Sequence, residues 1–213
     1  IAAVPCRVAA EQSDGQRAER NVSNAPSDCD GGGTVGDGGG TPVSGEVTLL
    51  AANDLGMHCA DLDYSTFVIL PPFNVIHSQV IERGATPRIL DESQVKLSYS
   101  AVMDDSASIN TTSQNQAGAV HKSNFWDINP KTGNRYVFDL FGLNPPPDEG
   151  LAFGQAMPGI LNPYVANDPQ PFNHYDADKG WFAADGIPIL PIDDNGQLNA
   201  YPLMRVSATA PDT

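Results

Sequence analysis

Met57, His58 and Cys59 stand side by side in the stretch AANDLGMHCADLDYSTFVILPPFNVIHSQV, and His77 ends the apolar run that follows. A thioether, an imidazole and a thiolate together suit copper; His and Cys without Met suit zinc. Neighbouring residues on a strand point to opposite faces, so these three share one metal only if the backbone turns. Gly56 allows such a turn. Pro71-Pro72 then send the chain back, which would bring His77 towards His58 and Cys59, with Met57 or Asp61 completing four-coordination. The ordinary alternative is a buried turn with a hydrogen-bonded His58. The spacing matches no standard zinc pattern, and blue-copper sites order their ligands differently.

Further acidic oxygens cluster around turns. Asp61 and Asp63 follow Cys59, YDADKG offers Asp176 and Asp178, and IDDNGQ offers Asp193 and Asp194. These resemble fragments of calcium loops, although none completes an EF-hand, and turns use Asp, Asn and Gly for local reasons. No C-x-x-C-H occurs, so no covalent haem is expected. There is no G-x-S-x-G elbow, P-loop or H-E-x-x-H, so nucleophilic catalysis has no candidate residues, and the Asp/Glu pairs, too abundant to single one out, are the remaining source of acid–base work on a sugar. Trp126 with His121, and Trp181, would serve either an aromatic sugar platform or the core.

The elements that must position these residues read mainly as strands. VIHSQVIE puts Ile76, Ser78 and Val80 on one face and Val75, His77, Gln79 and Ile81 on the other. QVKLSYSAVM alternates most clearly, with Val95, Leu97, Tyr99, Ala101 and Met103 on one side. EVTLLAA and STFVILPPF are short apolar runs, and the double proline bars the second from continuing as a central strand. NPKTGNRYVFDLFG reads as a turn over 129–134 feeding a strand. NAYPLMRVSATA supplies a last strand, irregular near Met204-Arg205. No long segment keeps a helical period. The expected fold is therefore mainly β: an antiparallel, immunoglobulin-like β-sandwich with long ordered loops.

Residues 1–45 form an extension of different character, ending in the Gly-rich linker DCDGGGTVGDGGGTPVSG. Cys6 and Cys29 flank a polar segment there. A disulfide between them would close a loop of roughly two dozen residues and contribute about 3 kcal/mol. That pairing leaves Cys59 as a free thiol, a ligand or a small apolar group, and implies an oxidising compartment. The sandwich is expected over 46–213. Within it, 143–200 is rich in Pro, Gly, Asp and aromatics, and reads as a long ordered excursion packing Phe153, Tyr164, Phe172, Tyr175, Trp181 and Phe182.

With 213 residues and a formal charge of −15, the chain has ample length for a core and too few cations for nucleic acid. The same charge disfavours an anionic membrane surface, and no window is apolar for long enough to span a bilayer. An acidic surface suits cations and basic partners. IAAVPCRVAAEQ has neither initiator Met nor full signal peptide and reads as a mature or trimmed product. Few lysines and many Asn, Ser, Thr, Gly and Pro fit an exported protein.

The segment from Asn53 to Val80 resembles a group of exported bacterial proteins carrying N-D-L-G-M-H-C-x-D-x-D-[YF]-S followed by L-P-P-[FY]-N. They occur in bacteria rich in multihaem cytochromes. The likeness continues through FWDINPKTGNRYVFDLFG and the last strand. It implies an extracellular or periplasmic location and a functionally constrained GMHC turn. The expectation is an exported, non-catalytic, metal-binding module that works beside c-type cytochromes. Alternatives are a structural subunit of a cell-surface or extracellular assembly, and a carbohydrate-binding domain.

Overall fold

The computed structural model describes residues 46–54, 61–66, 70–114, 122–151 and 154–211. Met57, His58, Cys59, His121, Phe153 and the expected Cys6–Cys29 disulfide lie outside these residues. The described chain is mainly β and builds two antiparallel sheets.

The first sheet contains β1 (Val47–Asn53), β2 (Phe73–Glu82), β3 (Arg88–Ile89), β6 (His174–Asp176) and β7 (Trp181–Pro188). Its main order is β1-β2-β7-β6, with β3 added beside the end of β2. The second sheet contains β4 (Lys96–Ala101), β5 (Gln170–Pro171) and β8 (Met204–Thr209), in the order β5-β4-β8. Register is set by the hydrophobic alternation. Leu49 pairs with Val80, Ile76 with Ala184, Ser78 with Phe182, and Tyr99 with Val206. A slip of one residue would turn each of these sets to the wrong face.

The inward sets meet in one core. Leu49, Ile76, Val80, Phe182, Ala184 and Ile187 come from the first sheet, and Leu97, Tyr99 and Val206 from the second. Packing between two sheets makes the fold a sandwich. β4 is the centre of its sheet, with Leu97 and Tyr99 facing inward as their alternation requires. The double proline ends just before β2, which begins at Phe73.

Two elements depart from expectation. The turn at 129–134 is present: Asn129 N donates to Asn134 O at 2.7 Å, and Gly133 N to Asn129 O at 2.9 Å. It feeds a helix rather than a strand, α1 (Tyr136–Phe141), ended by Gly142 at φ 69°. One helical turn carries Asp139 back over the loop, where it accepts from Asn129 Nδ2 at 2.8 Å and Asn134 Nδ2 at 2.9 Å. Val137 and Phe141, four residues apart, face a second cluster of Tyr64, Phe73, Phe125, Trp126 and Leu190. Aromatic and β-branched content suggested a strand; burial at helical spacing decided otherwise.

The 143–200 excursion is likewise more than loops. It contributes β5, β6 and β7, and β7 lies inside the first sheet between β2 and β6. Its sequence hides this because Asp185 and Gly186 interrupt the apolar run. Gly186, at φ 82°, is the extra residue of a bulge between the pairs Asn74–Ile187 and Val75–Asp185. The expected aromatic packing is present at Phe182, which is buried, and at Phe172 and Tyr175, which pack against the core.

Candidate functional site

β2 alternates, so every second residue faces away from the core. His77 is one of these, and its register partners are Ala52 on β1 and Ala183 on β7. Ala183 in turn pairs with His174 on β6. Directly paired residues share a face. The outer face of the first sheet therefore carries two imidazoles flanking a small alanine, two strand spacings or roughly 10 Å apart.

The neighbours of His77 fix its ring. Trp181, two residues from Ala183 on the same face, stacks on it with centroids 4.2 Å apart and planes 13° apart. Asp54 Oδ2 lies 4.0 Å from His77 Nδ1, an ion-pair separation rather than a hydrogen bond. The His77 side chain keeps 19% of its exposure, so it is sheltered without being sealed. Lys179 Nζ sits 4.9 Å from the Trp181 ring centroid and 2.8 Å from Asp176 Oδ2. His174 Nδ1 lies 3.3 Å from Asp185 Oδ2. This face combines imidazoles, carboxylates and one aromatic ring, which suits a cation better than an apolar ligand. Asp54, whose N donates to Val75 O at 2.9 Å, is the last described residue before the GMHC segment.

The acidic residues expected from the sequence fall in three separate places. Asp63 accepts from Ser65 N at 2.9 Å and Asn124 Nδ2 at 2.7 Å, and Asp61 is exposed nearby. Hydrogen bonding, that from Ser65 first, holds the Asp63 carboxyl below the usual range. Asp176 accepts from Asp178 N and Lys179 N, each at 3.1 Å, in the turn between β6 and β7. The Lys179 side chain is the main reason that its carboxyl is held low. Asp193 and Asp194 are buried. These contacts are those of turns and of a core network. Among the described residues, no group of three or more His, Cys, Asp or Glu is placed to hold a metal ion.

The buried network is what sequence reasoning missed. The Lys122 side chain is 0% exposed. Its Nζ donates to Asp194 Oδ1 at 3.0 Å and to Asn110 Oδ1 at 2.8 Å. Asp194 also accepts from Thr111 N at 2.9 Å, from Thr112 N at 3.3 Å and from Thr111 Oγ1. Asp148 accepts from Thr112 Oγ1 and Ser113 Oγ at 2.9 and 2.8 Å, and Asp193 from Ser108 Oγ at 2.6 Å. Lys122 is thus paired with Asp194, and Asp148 and Asp193 are buried carboxylates held by neighbouring hydroxyls. Asn110 is buried with them. The signal was faint: one of only four lysines in the chain, in HKSNFW, nine residues after the small polar run SINTTS ends.

No family model, curated protein or solved structure matches the chain.

Proposed function

We propose that the protein is an exported, non-catalytic module that binds a soft or borderline metal ion, copper or zinc, through His77 on the outer sheet face, and that it works beside redox partners such as c-type cytochromes. The observation that carries this reading is the setting of His77. Its ring is held in plane by Trp181 and has a carboxylate, Asp54, on the Nδ1 side. Metal-ligating imidazoles commonly keep a carboxylate at the nitrogen opposite the metal, which fixes ring orientation and raises basicity. Asp54 leads directly into the segment of Met57, His58 and Cys59, the thioether, imidazole and thiol that the sequence offers as further ligands. The net charge of −15 favours a cation at this face and a basic surface on any partner. An oxidising periplasmic or extracellular setting agrees with the expected Cys6–Cys29 pairing.

The carbohydrate reading is weaker on this geometry. Trp126 is buried, and Trp181 already carries His77 stacked on it and the Lys179 ammonium over its ring.

The test is a titration of the full chain with Cu²⁺ or Zn²⁺, followed by desalting and elemental analysis. Near-stoichiometric retention is expected, with Cu²⁺ quenching Trp181 fluorescence because the ring stacks on the ligand. His77→Ala should weaken binding at least about tenfold while leaving the circular dichroism unchanged. Trp181→Phe should remove the quenching and keep the metal. A wild-type chain that retains no metal, or a His77→Ala chain that retains as much, overturns the reading.

A further inference from the structure

The Lys122 amine is fully enclosed, and its two contacts differ in kind. One is a carboxylate, Asp194 Oδ1 at 3.0 Å; the other is a primary carboxamide, Asn110 Oδ1 at 2.8 Å. Asn110 is itself 2% exposed. Its amide nitrogen donates to Leu190 O at 2.7 Å, so the side chain is held from both ends. Phe125 and Trp126, a few residues beyond Lys122, are buried as well. An amine, an amide carbon and a carboxylate are thus fixed together away from water.

Such an arrangement has the parts of an amide-exchange reaction. A nitrogen at hydrogen-bond distance from an amide oxygen is also within about 3–4 Å of its carbon, the approach distance of a near-attack geometry. A carboxylate in contact with the amine can act as base towards it and then as acid towards the leaving nitrogen. We propose that Lys122 and Asn110 condense spontaneously into an intramolecular isopeptide bond, with Asp194 relaying the proton.

The balance closes without any co-reactant. The Lys122 ammonium gives one proton to Asp194. The free amine attacks Asn110 Cγ, forming the Nζ–Cγ bond. The Cγ–Nδ2 bond then breaks, and Nδ2 leaves as ammonia, carrying the proton that the attacking nitrogen sheds through Asp194. The proton first held by Asp194 goes with it as ammonium, and the carboxylate is restored. Nothing is oxidised or reduced.

Two further features favour the reaction. Burial holds the Lys122 amine below the ordinary lysine range, in spite of the opposing pull of Asp194, Asp193 and Asp148, so the nucleophilic form is more accessible. The backbone is also tied beside both reacting residues, since Lys122 N donates to Ser113 O at 2.8 Å. The two reacting side chains therefore meet without a large entropic cost at the moment of reaction. The product would tie the Asn110–Ser113 segment permanently to the start of the Phe125-Trp126 core, independently of redox conditions.

The test is the mass of the intact full chain, denatured and reduced so that any disulfide is open. The expected mass is one ammonia below the sequence mass, with a branched Lys122–Asn110 peptide after digestion. Lys122→Met, Asn110→Ala and Asp194→Asn should each run at their full sequence masses. A wild-type chain at full mass overturns the proposal. So does an ammonia loss that persists in Lys122→Met or in Asn110→Ala, or a water loss with Lys122 joined to Asp194.

Discussion

Tyr99 shows how a single side chain can take over the work of a strand. Its hydroxyl donates to Ala156 O at 2.7 Å and accepts from Ala156 N at 3.0 Å, satisfying both backbone groups of a buried residue. Burial pushes the phenol well above its ordinary range, so it remains a proton donor. Tyr99→Phe should cost about 1–3 kcal/mol, because two buried backbone groups lose their partner. Urea denaturation reads this, and a loss under about half a kcal/mol would mean that water replaces the hydroxyl. Leu97, buried on the same face, tests the apolar part. Leu97→Ala should cost about 2–5 kcal/mol by removing buried surface and leaving a cavity. The inward direction of both residues was legible in QVKLSYSAVM, since strand alternation is local. The tie from Tyr99 to Ala156 was not, because it joins segments that meet only in the folded chain.

At the scale of elements, β7 is the informative case. Its bulge needs Gly186 twice over: φ is +82°, and a Cβ there would lie 2.7 Å from Leu151 Cβ. Gly186→Ala should therefore destabilise the protein by more than about 1 kcal/mol. Gly84 is the control, since a Cβ there meets nothing within 4 Å. Gly84→Ala should be within about half a kcal/mol of wild type in the same thermal or urea experiment. Equal effects at the two sites would remove the bulge argument. β7 was unreadable as a strand for the same reason that it is vulnerable: the residues that fit the bulge are residues that usually mark turns. In α1, propensity pointed one way and packing the other. A turn that holds Asp139 and a cluster that receives Val137 select the helix.

The whole molecule carries an excess of acid that is partly organised into turns. The carboxyls of Asp63, Asp104, Asp139 and Asp176 are all held below the usual range. The largest cause in each is a side-chain hydrogen bond, from Ser65, Ser106, Thr132 and Lys179 respectively. A carboxyl with a lowered value in the folded state binds protons less readily there than when unfolded. Its contribution to stability is present above the ordinary aspartate value of about 4 and is lost as pH falls through the lower folded values. The urea midpoint should therefore be insensitive to these groups near neutral pH and fall as pH drops below about 4, the window in which they titrate. Asp139→Asn should flatten part of that fall, since an amide does not titrate. A variant with the wild-type acid profile would show that Asp139 is not among the groups responsible. Because these sites are exposed, each effect is small and reduced further by salt.

The sequence by itself determined the class of the fold, the inward face of β4, and the division of β2 into two faces with His77 opposite Ile76 and Val80. All of these follow from a two-residue period that each strand carries within itself; which of the two β2 faces is buried was decided by the structure. The sequence also marked the turn at 129–134, where Asn and Gly act on their own backbone. The tertiary structure decided that β7 enters the first sheet, that YVFDLF is helical, and that Trp181 stacks on His77. It also decided that Lys122, Asn110 and Asp194 share one buried site. Those outcomes depend on contacts between residues far apart in the chain, whose strength comes from excluding water at a place that only the assembled sheets create.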